Sequence, residues 1–233
     1  MPKNEQMSES ANFLSFANSQ IRFTFHALPM LSTWRLLNTG KHHAAMNMAI
    51  DEAILLEQPS TPQPTLRFYD WLQPAFSFGY FQQVAEEVDV AACGARGIEL
   101  VRRMTGGGTV IHGWDVTYTI VIPHGCGVLP KEISAAYGVI SDCLVNGLQR
   151  LGIDVQRQIE KPRVKSRGLP TSPPAPPLEG RGETEGGGEG LPNICLTNPA
   201  RYDVMLNGKK IAGVSQRRNQ KGAMYQGYIA LDM

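Results

Sequence analysis

In the stretch RRMTGGGTVIHG, Arg102 and Arg103 stand just before three consecutive glycines, Gly106, Gly107 and Gly108, and His112 follows four residues later. A run of glycine carries a heavy conformational-entropy cost, so it serves backbone geometry that side chains would forbid. No Gly-Lys-Ser/Thr follows and the spacing is not GxGxxG, so neither common nucleotide fingerprint is present. The loop amides could line a phosphate or a carbonyl-bearing ligand as an anion nest, with the arginines supplying charge. A glycine-rich connection in a β-meander, flanked by surface arginines, fits the same letters. Two further side chains could do covalent chemistry: Cys195 in NICLTNPARYDV and Lys210 in YDVMLNGKKIAG. A thiolate beside an ammonium has a lowered pKa and acts as a nucleophile. Taken singly, each residue also has an ordinary reading. Free cysteines are commonly buried hydrophobes, strand lysines face water, and His112 fits a structural histidine as well as a base.

The elements that would hold these groups follow from periodicity. WRLLN reads as a strand, and AAMNMAIDEAILL as a helix with Met46, Ala49, Ile50, Ala53 and Ile54 along one stripe. TLRFY and AFSFGYF are strands around a proline-containing turn, VDVAACGAR a short helix ended by Gly97, and IELVRR the strand that delivers the glycine loop. TVIH and VTYTIVIP are strands. KEISAAYGVISDCLVNGLQRLG is a second long helix with Ile133, Tyr137, Ile140, Leu144 and Leu148 at helical spacing. In YDVML-NG-KKIAG, Asn-Gly between two β-like runs predicts a type I′ hairpin. That register pairs Leu206 with Lys209, Met205 with Lys210 and Val204 with Ile211. It puts Val204, Leu206 and Ile211 on the core face, and Asp203, Met205, Lys210 and Ala212 on the other. Lys209 snorkels from the hairpin tip.

Residues 1–30 read as a disordered extension, and 31–233 as one domain interrupted by a Pro/Gly/Glu-rich disordered loop at 161–192. The chain is 42% hydrophobic and 18% charged with a net charge of +1, which gives no reason to expect nucleic-acid or membrane-surface binding. No apolar run approaches the ~20 residues of a membrane span. The N-terminus lacks the pattern of a secretory signal. Four cysteines form no CxxC pair and the five histidines no HExxH, so neither a disulfide framework nor a metal site is expected. A cytoplasmic location is the expectation.

Four ordered blocks together carry a resemblance: WRLLNTG…AAMNMAIDEAIL, TLRFYDWLQPAFSFGYFQ, RRMTGGGTVIH…VTYTIVIP and YDVMLNGKKIAGVSQRR…QGYIALDM. From about Trp34 to the last residue, outside the Pro/Gly/Glu-rich loop, the chain resembles the biotin/lipoate protein ligase family. The resemblance implies that family's α/β catalytic domain, a mixed, mostly antiparallel sheet with helices packed on it. No helix-turn-helix segment precedes the domain, which disfavours the DNA-binding branch. Of the family's chemistries, the cysteine-dependent octanoyltransferase branch is the nearer. Cys195 looks like the nucleophile of that branch's CF-x-x-P-x-x-Y segment, and RRMTGG and VTYTIVI resemble its RRPTGG and LTYSV.

This resemblance implies catalytic roles for Cys195 and Lys210, and substrate binding by Arg102, Arg103, Gly106, Gly107, Gly108, His112 and Gln82, the last residue of the second block. It implies octanoate transfer from acyl carrier protein, through a Cys195 thioester, to a lysine of lipoyl domains (2-oxoacid dehydrogenase E2 subunits, the glycine cleavage H protein), with no cofactor. Residues around Phe76–Tyr80 and Val110 are the candidate walls of the acyl slot. The alternative is an ATP-dependent lipoate–protein ligase, in which ATP and Mg would be needed and Cys195 would be incidental. An amidotransferase branch also uses a cysteine, and a non-catalytic acyl- or phosphate-binding remnant is a further alternative. Two positions depart from the transferase pattern: Gly108 is ligase-like, and Gly113 stands where both branches usually have Asp. The chain also stops at Met233, where relatives continue with further helix.

Overall fold

The computed structural model describes residues 20–22, 33–159 and 199–231. Cys195, the loop at 161–192 and most of 1–30 lie outside the described residues. Within 1–30, residues 20–22 form a strand, contrary to the expected absence of structure there.

Strands β1 (Gln20–Arg22), β2 (Thr33–His42), β3 (Thr65–Trp71), β7 (Asp115–Pro123), β8 (Gln156–Arg157), β9 (Val204–Leu206), β10 (Lys209–Arg218) and β11 (Gly222–Ala230) form a large sheet. Its order is β1-β2-β3-β7-β11-β10-β9-β8. β2 and β3 run parallel and the remaining neighbours antiparallel. A second sheet, β5-β4-β6, consists of β4 (Ala75–Phe78), β5 (Glu99–Arg102) and β6 (Val110–His112). This is the mixed, mostly antiparallel architecture expected from the sequence.

Helix α1 (Ala44–Glu57) covers one face of the large sheet, where Ile54 and Leu55 pack on Val121 and Met224. Helix α4 (Ile133–Arg150) covers the other, where Ala136 and Ile140 pack on Ile122 and Tyr225. The short helix α3 (Val90–Ala95) ends before Gly97, whose φ of 67° suits glycine. The four-residue helix α2 (Val84–Glu87) was not legible in the sequence.

The buried stripe of α1 differs from the expected one. Met46 is half exposed and Ala49 and Ala53 are exposed, while Ala44, Asn47, Met48, Asp51, Ile54 and Leu55 face inward. Ile54 is buried as expected, but two polar residues, Asn47 and Asp51, share the inward face, because Arg67 lies beneath them. The Arg67 guanidinium donates to Asp51 Oδ1 at 2.6 Å, to Asn47 Oδ1 at 2.8 Å, to the Asn47 carbonyl at 2.9 Å and to Thr39 Oγ1 at 3.0 Å. On α4, Ile133 is likewise exposed, whereas Ile140 and Leu148 are buried as expected.

The hairpin turn forms as read, with φ of 50° at Asn207 and 77° at Gly208. Leu206 pairs with Lys209 and Met205 with Lys210, and Lys209 is exposed. The third pair is corrected: Val204 faces Ala212, and Ile211 is the extra residue of a β-bulge. A bulge offsets the two-residue alternation. Ala212 therefore joins Val204 and Ile211 in the core against Leu148 of α4, whereas Lys210 shares the face of Gly213.

Candidate active site

Between the two sheets lies a cavity of about 190 Å³, walled by Met48, Tyr69, Trp71, Val110 and Tyr228 and by a polar set that includes Ser77, Arg103, His112, Asp203 and Lys210. The polar groups come from two sides. The hairpin brings Lys210, whose Nζ lies 2.8 Å from Asp203 Oδ2 and 6.0 Å from the Tyr228 ring centre, nearly out of contact with solvent. Burial, the largest influence on Asp203, pushes its carboxyl above the usual range and outweighs the opposing pull of Lys210. The Ala200 amide also donates to Asp203, at 2.6 Å.

Room for the ammonium comes from Gly213. A Cβ at that position would lie 2.7 Å from Lys210 Cε, 2.9 Å from Nζ and 3.1 Å from Asp203 Oδ1. Gly213→Ala is therefore expected to displace the lysine tip while the sheet tolerates the methyl group. Turnover should fall by on the order of tenfold or more, with a stability loss of roughly 1 kcal/mol. Turnover followed beside urea unfolding of the same variant checks the separation.

From the small sheet come Ser77 and His112. The His112 Nε2 lies 2.7 Å from Ser77 Oγ, and Nδ1 lies 2.9 Å from Asp115 Oδ2. The ring stacks on Trp71 at 4.0 Å between centres. Burial pushes the His112 pKa down, against the opposite pull of Asp115. Burial alone would raise Asp115, yet hydrogen bonds from His112, Thr117 and the Gly113 amide leave it below its usual value. A neutral imidazole donating from Nδ1 to Asp115 and accepting from Ser77 at Nε2 fits both shifts.

The two shifts make the fold acid-sensitive with the same sign. The unfolded histidine, with a pKa of about 6.5, takes up its proton before the native one does as pH falls. Stability contributed by neutral His112 is thus fully present above that pH and drains away below it. The contribution of Asp115 persists until the pH falls below the ordinary carboxylate value of about 3.9 toward its lower native pKa. Urea midpoints measured from pH 8 to pH 5 should decline below about pH 6.5, and less steeply in His112→Gln. Equal slopes in the two proteins would refute this.

Arg103 ties the glycine loop to this group. One terminal nitrogen donates to the Ser77 carbonyl at 2.5 Å and to Ser77 Oγ at 2.8 Å; the other donates to the Gly106 and Gly108 carbonyls at 3.0 and 2.9 Å. Gly107 and Gly108 line the cavity, and Gly106 lines a neighbouring hollow with Gly107. The loop also passes close to Gly79, where a Cβ would lie 1.9 Å from the Gly107 carbonyl oxygen.

Arg102 and Gln82 do not line the cavity. Arg102 donates to the Gly79, Tyr80 and Gln82 carbonyls, and the Gln82 side chain accepts from the Gly79 amide and donates to Thr109 Oγ1. Both brace the segment that supports the glycine loop. Of the expected walls, Val110 lines the cavity, while from Phe76–Tyr80 only Ser77 does.

Among the residues of the site that the sequence does not single out are Asp115, Asp203 and Gln226. Asp115 was signalled by its place three residues after His112, and Asp203 by its place on the same hairpin face as Lys210. Gln226 links the site to the interior: its Nε2 donates to Asp51 Oδ2 at 2.8 Å and its Oε1 accepts from Thr105, just before the glycines. Among the described residues no group of three or more His, Cys, Asp or Glu could hold a metal ion, and no helix is long and apolar enough to cross a membrane.

The family model of the lipoyl protein ligase A/B catalytic domain matches residues 43–233. An octanoyltransferase LipM of Kyrpidia tusciae is 37% identical over 204 residues, covering 87% of this chain and 68% of that protein. Its counterpart from Staphylococcus aureus is 34% identical over 200 residues, 84% of this chain and 65% of that protein. The chain thus spans about two thirds of the length of these relatives. Among solved structures, a lipoate-protein ligase A bound with ATP superposes with a TM-score of 0.60 at 27% identity, covering 86% of this chain and 67% of that one. A putative lipoate protein ligase from T. acidophilum with bound lipoic acid gives 0.58 at 25% identity, covering 86% and 68%.

Proposed function

Because the chain belongs to the lipoyl protein ligase A/B catalytic-domain family, and lies nearer its octanoyltransferases than its ligases, we propose that it transfers octanoyl groups in protein lipoylation. The observation that carries this reading is the identity of 33–37% to octanoyltransferases over most of the chain, against 25–27% to the solved lipoate ligases cited above. The donor is acyl carrier protein and the acceptor a lysine of a lipoyl domain; one ligase of the same fold was solved as part of a system with its E2 lipoyl domain.

In this mechanism the Cys195 thiolate attacks the octanoyl thioester. A new bond forms between the carbonyl carbon and Cys195 Sγ, the bond to the carrier sulfur breaks, and the carrier thiolate leaves and takes a proton from water. Lys210 faces the carbonyl oxygen as negative charge develops on it. The acceptor amine then attacks the enzyme thioester, an amide forms, one proton is released, and the Cys195 thiolate returns. Thioester-to-amide transfer runs downhill, so neither ATP nor a metal is required. The octanoyl tail occupies the cavity between Met48, Tyr69, Trp71 and Val110, where burying its methylenes at ~0.8 kcal/mol each contributes on the order of 5 kcal/mol of binding.

The test is incubation with octanoyl-acyl carrier protein without ATP, followed by intact-mass measurement. An octanoyl adduct that hydroxylamine removes supports the transferase. An adduct-free protein that modifies a lipoyl domain only with ATP and free acid would assign it to the ligases.

A further inference from the structure

A second compartment of about 270 Å³ adjoins the cavity, walled by Gly106, Gly107, Tyr137, Arg201, Ser215 and Gln216 among others. The two share Gly107, Ala200, Asp203, Val214 and Ser215. The Asp203 carboxylate, with the Lys210 ammonium bonded to it, thus stands at their junction.

The outer compartment carries an uncommitted cation. Arg201 is exposed, its guanidinium carbon 4.8 Å from the Tyr202 ring centre, and no carboxylate among the described residues pairs with it. Arg157, 5.6 Å from the same ring centre, is by contrast paired with Asp142 at 2.9 Å. Tyr202 holds a left-handed backbone, φ 76°, which a bulky residue rarely adopts. Its amide donates to the Gln158 carbonyl at 2.9 Å, its carbonyl accepts from the Ser141 hydroxyl, and the Gln158 amide donates to the Asp203 carbonyl at 2.7 Å. Strain of this kind persists only where the surroundings over-determine it. Here it sets three consecutive residues to three tasks: Arg201 in the outer compartment, Tyr202 stacked beneath it, and Asp203 on Lys210. The amides of Gly106 and Gly107, on the same compartment, donate to no acceptor among the described residues.

We infer that the outer compartment receives the arm of the acyl donor, a pantetheine-type chain ending in a phosphate, and that Arg201 holds that phosphate while the thioester reaches Lys210. This rests on the thioester donor proposed above. An arginine stacked on a ring presents its planar fork to phosphate oxygens with little further ordering. A nucleotide phosphate would offer the same chemistry, so the test must separate the two sources.

Steady-state transfer to a lipoyl domain is measured without ATP, using octanoyl-4′-phosphopantetheine and octanoyl-pantetheine, donors that differ only by the phosphate. The phosphorylated donor should show the lower KM in the unsubstituted protein. Arg201→Ala should raise that KM about tenfold, leave kcat unchanged and leave the unphosphorylated donor untouched, with partial recovery in Arg201→Lys. Unchanged kinetics with octanoyl-pantetheine show in the same experiment that the variant is folded. Equal KM values for the two donors, or an equal effect of Arg201→Ala on both, overturns the assignment and leaves the transferase standing. Failure of both donors without ATP, with turnover of octanoate plus ATP that depends on Arg201, overturns the transferase reading and gives the site to a nucleotide phosphate.

Discussion

Cys195→Ser should abolish transfer from the acyl thioester, with a loss on the order of a thousandfold or more. The substitution nearly preserves volume, so folding should survive it. In the proposed mechanism the substitution removes the nucleophile, because a serine hydroxyl ionises far above neutral pH. The other cysteines act as controls. Cys93 is buried in α3 and Cys126 half-buried. Desolvation and the neighbouring Asp142 carboxylate push the Cys143 thiol above its ordinary value, which makes it a poor nucleophile. Each should accept serine without loss of chemistry. Lys210→Ala should also abolish activity, but under either chemistry, since a thioester carbonyl and an acyl-adenylate phosphate both need the charge. Full activity in Cys195→Ser together with dependence on ATP would sink the transferase.

The second large effect is on stability. Arg67→Met should cost about 3–5 kcal/mol, because it leaves the Asp51 carboxylate buried without its cation. Arg67 and Asp51 are both fully enclosed, and Asp51 Oδ2 already accepts from Tyr69, Thr119 and Gln226. For a chain of this size that corresponds to a fall in Tm of roughly 10 °C. Replacing both partners, Arg67→Met with Asp51→Leu, removes the stranded charge and should cost less than the two single changes summed. Calorimetry on the three variants checks the sign of the coupling; strict additivity would show that the pair does not act as a unit. Gln226 carries the loss outward, since it joins Asp51 to the loop through Thr105.

The hairpin was legible because Asn207-Gly208 imposes its turn through backbone sterics alone, without help from the rest of the fold. The α1 stripe was misread because periodicity ranks residues by polarity, whereas Asn47 and Asp51 are buried for the sake of an arginine on another element. A signal did exist in TLRFYDW. Thr65, Arg67, Tyr69 and Trp71 alternate inward, and Leu66, Phe68 and Asp70 are half-buried; an arginine in register with Tyr and Trp demands an inward partner. The bulge at Ile211 left no mark in the letters, since it arises where Val204 settles against Ala212. Lys210 was placed on the correct side of the hairpin for an incomplete reason. His112, Arg103, Gly107, Gly108 and Lys210 do meet around one cavity, while Arg102 and Gln82 support it from behind.

The order of the large sheet bears on how the chain is made. β11, the last strand described, lies inside the sheet, between β7 and β10. Its partner β7 spans residues 115–123, about a hundred positions earlier, and the two pair along their whole length. During synthesis β7 therefore waits with one edge open until the ribosome has released residues 222–230. Such long-range pairing makes folding slow and leaves a strand edge available to other chains. Lys210 on β10 and Tyr228 on β11 both wall the cavity, so that wall is complete only with the last-made strands in the sheet.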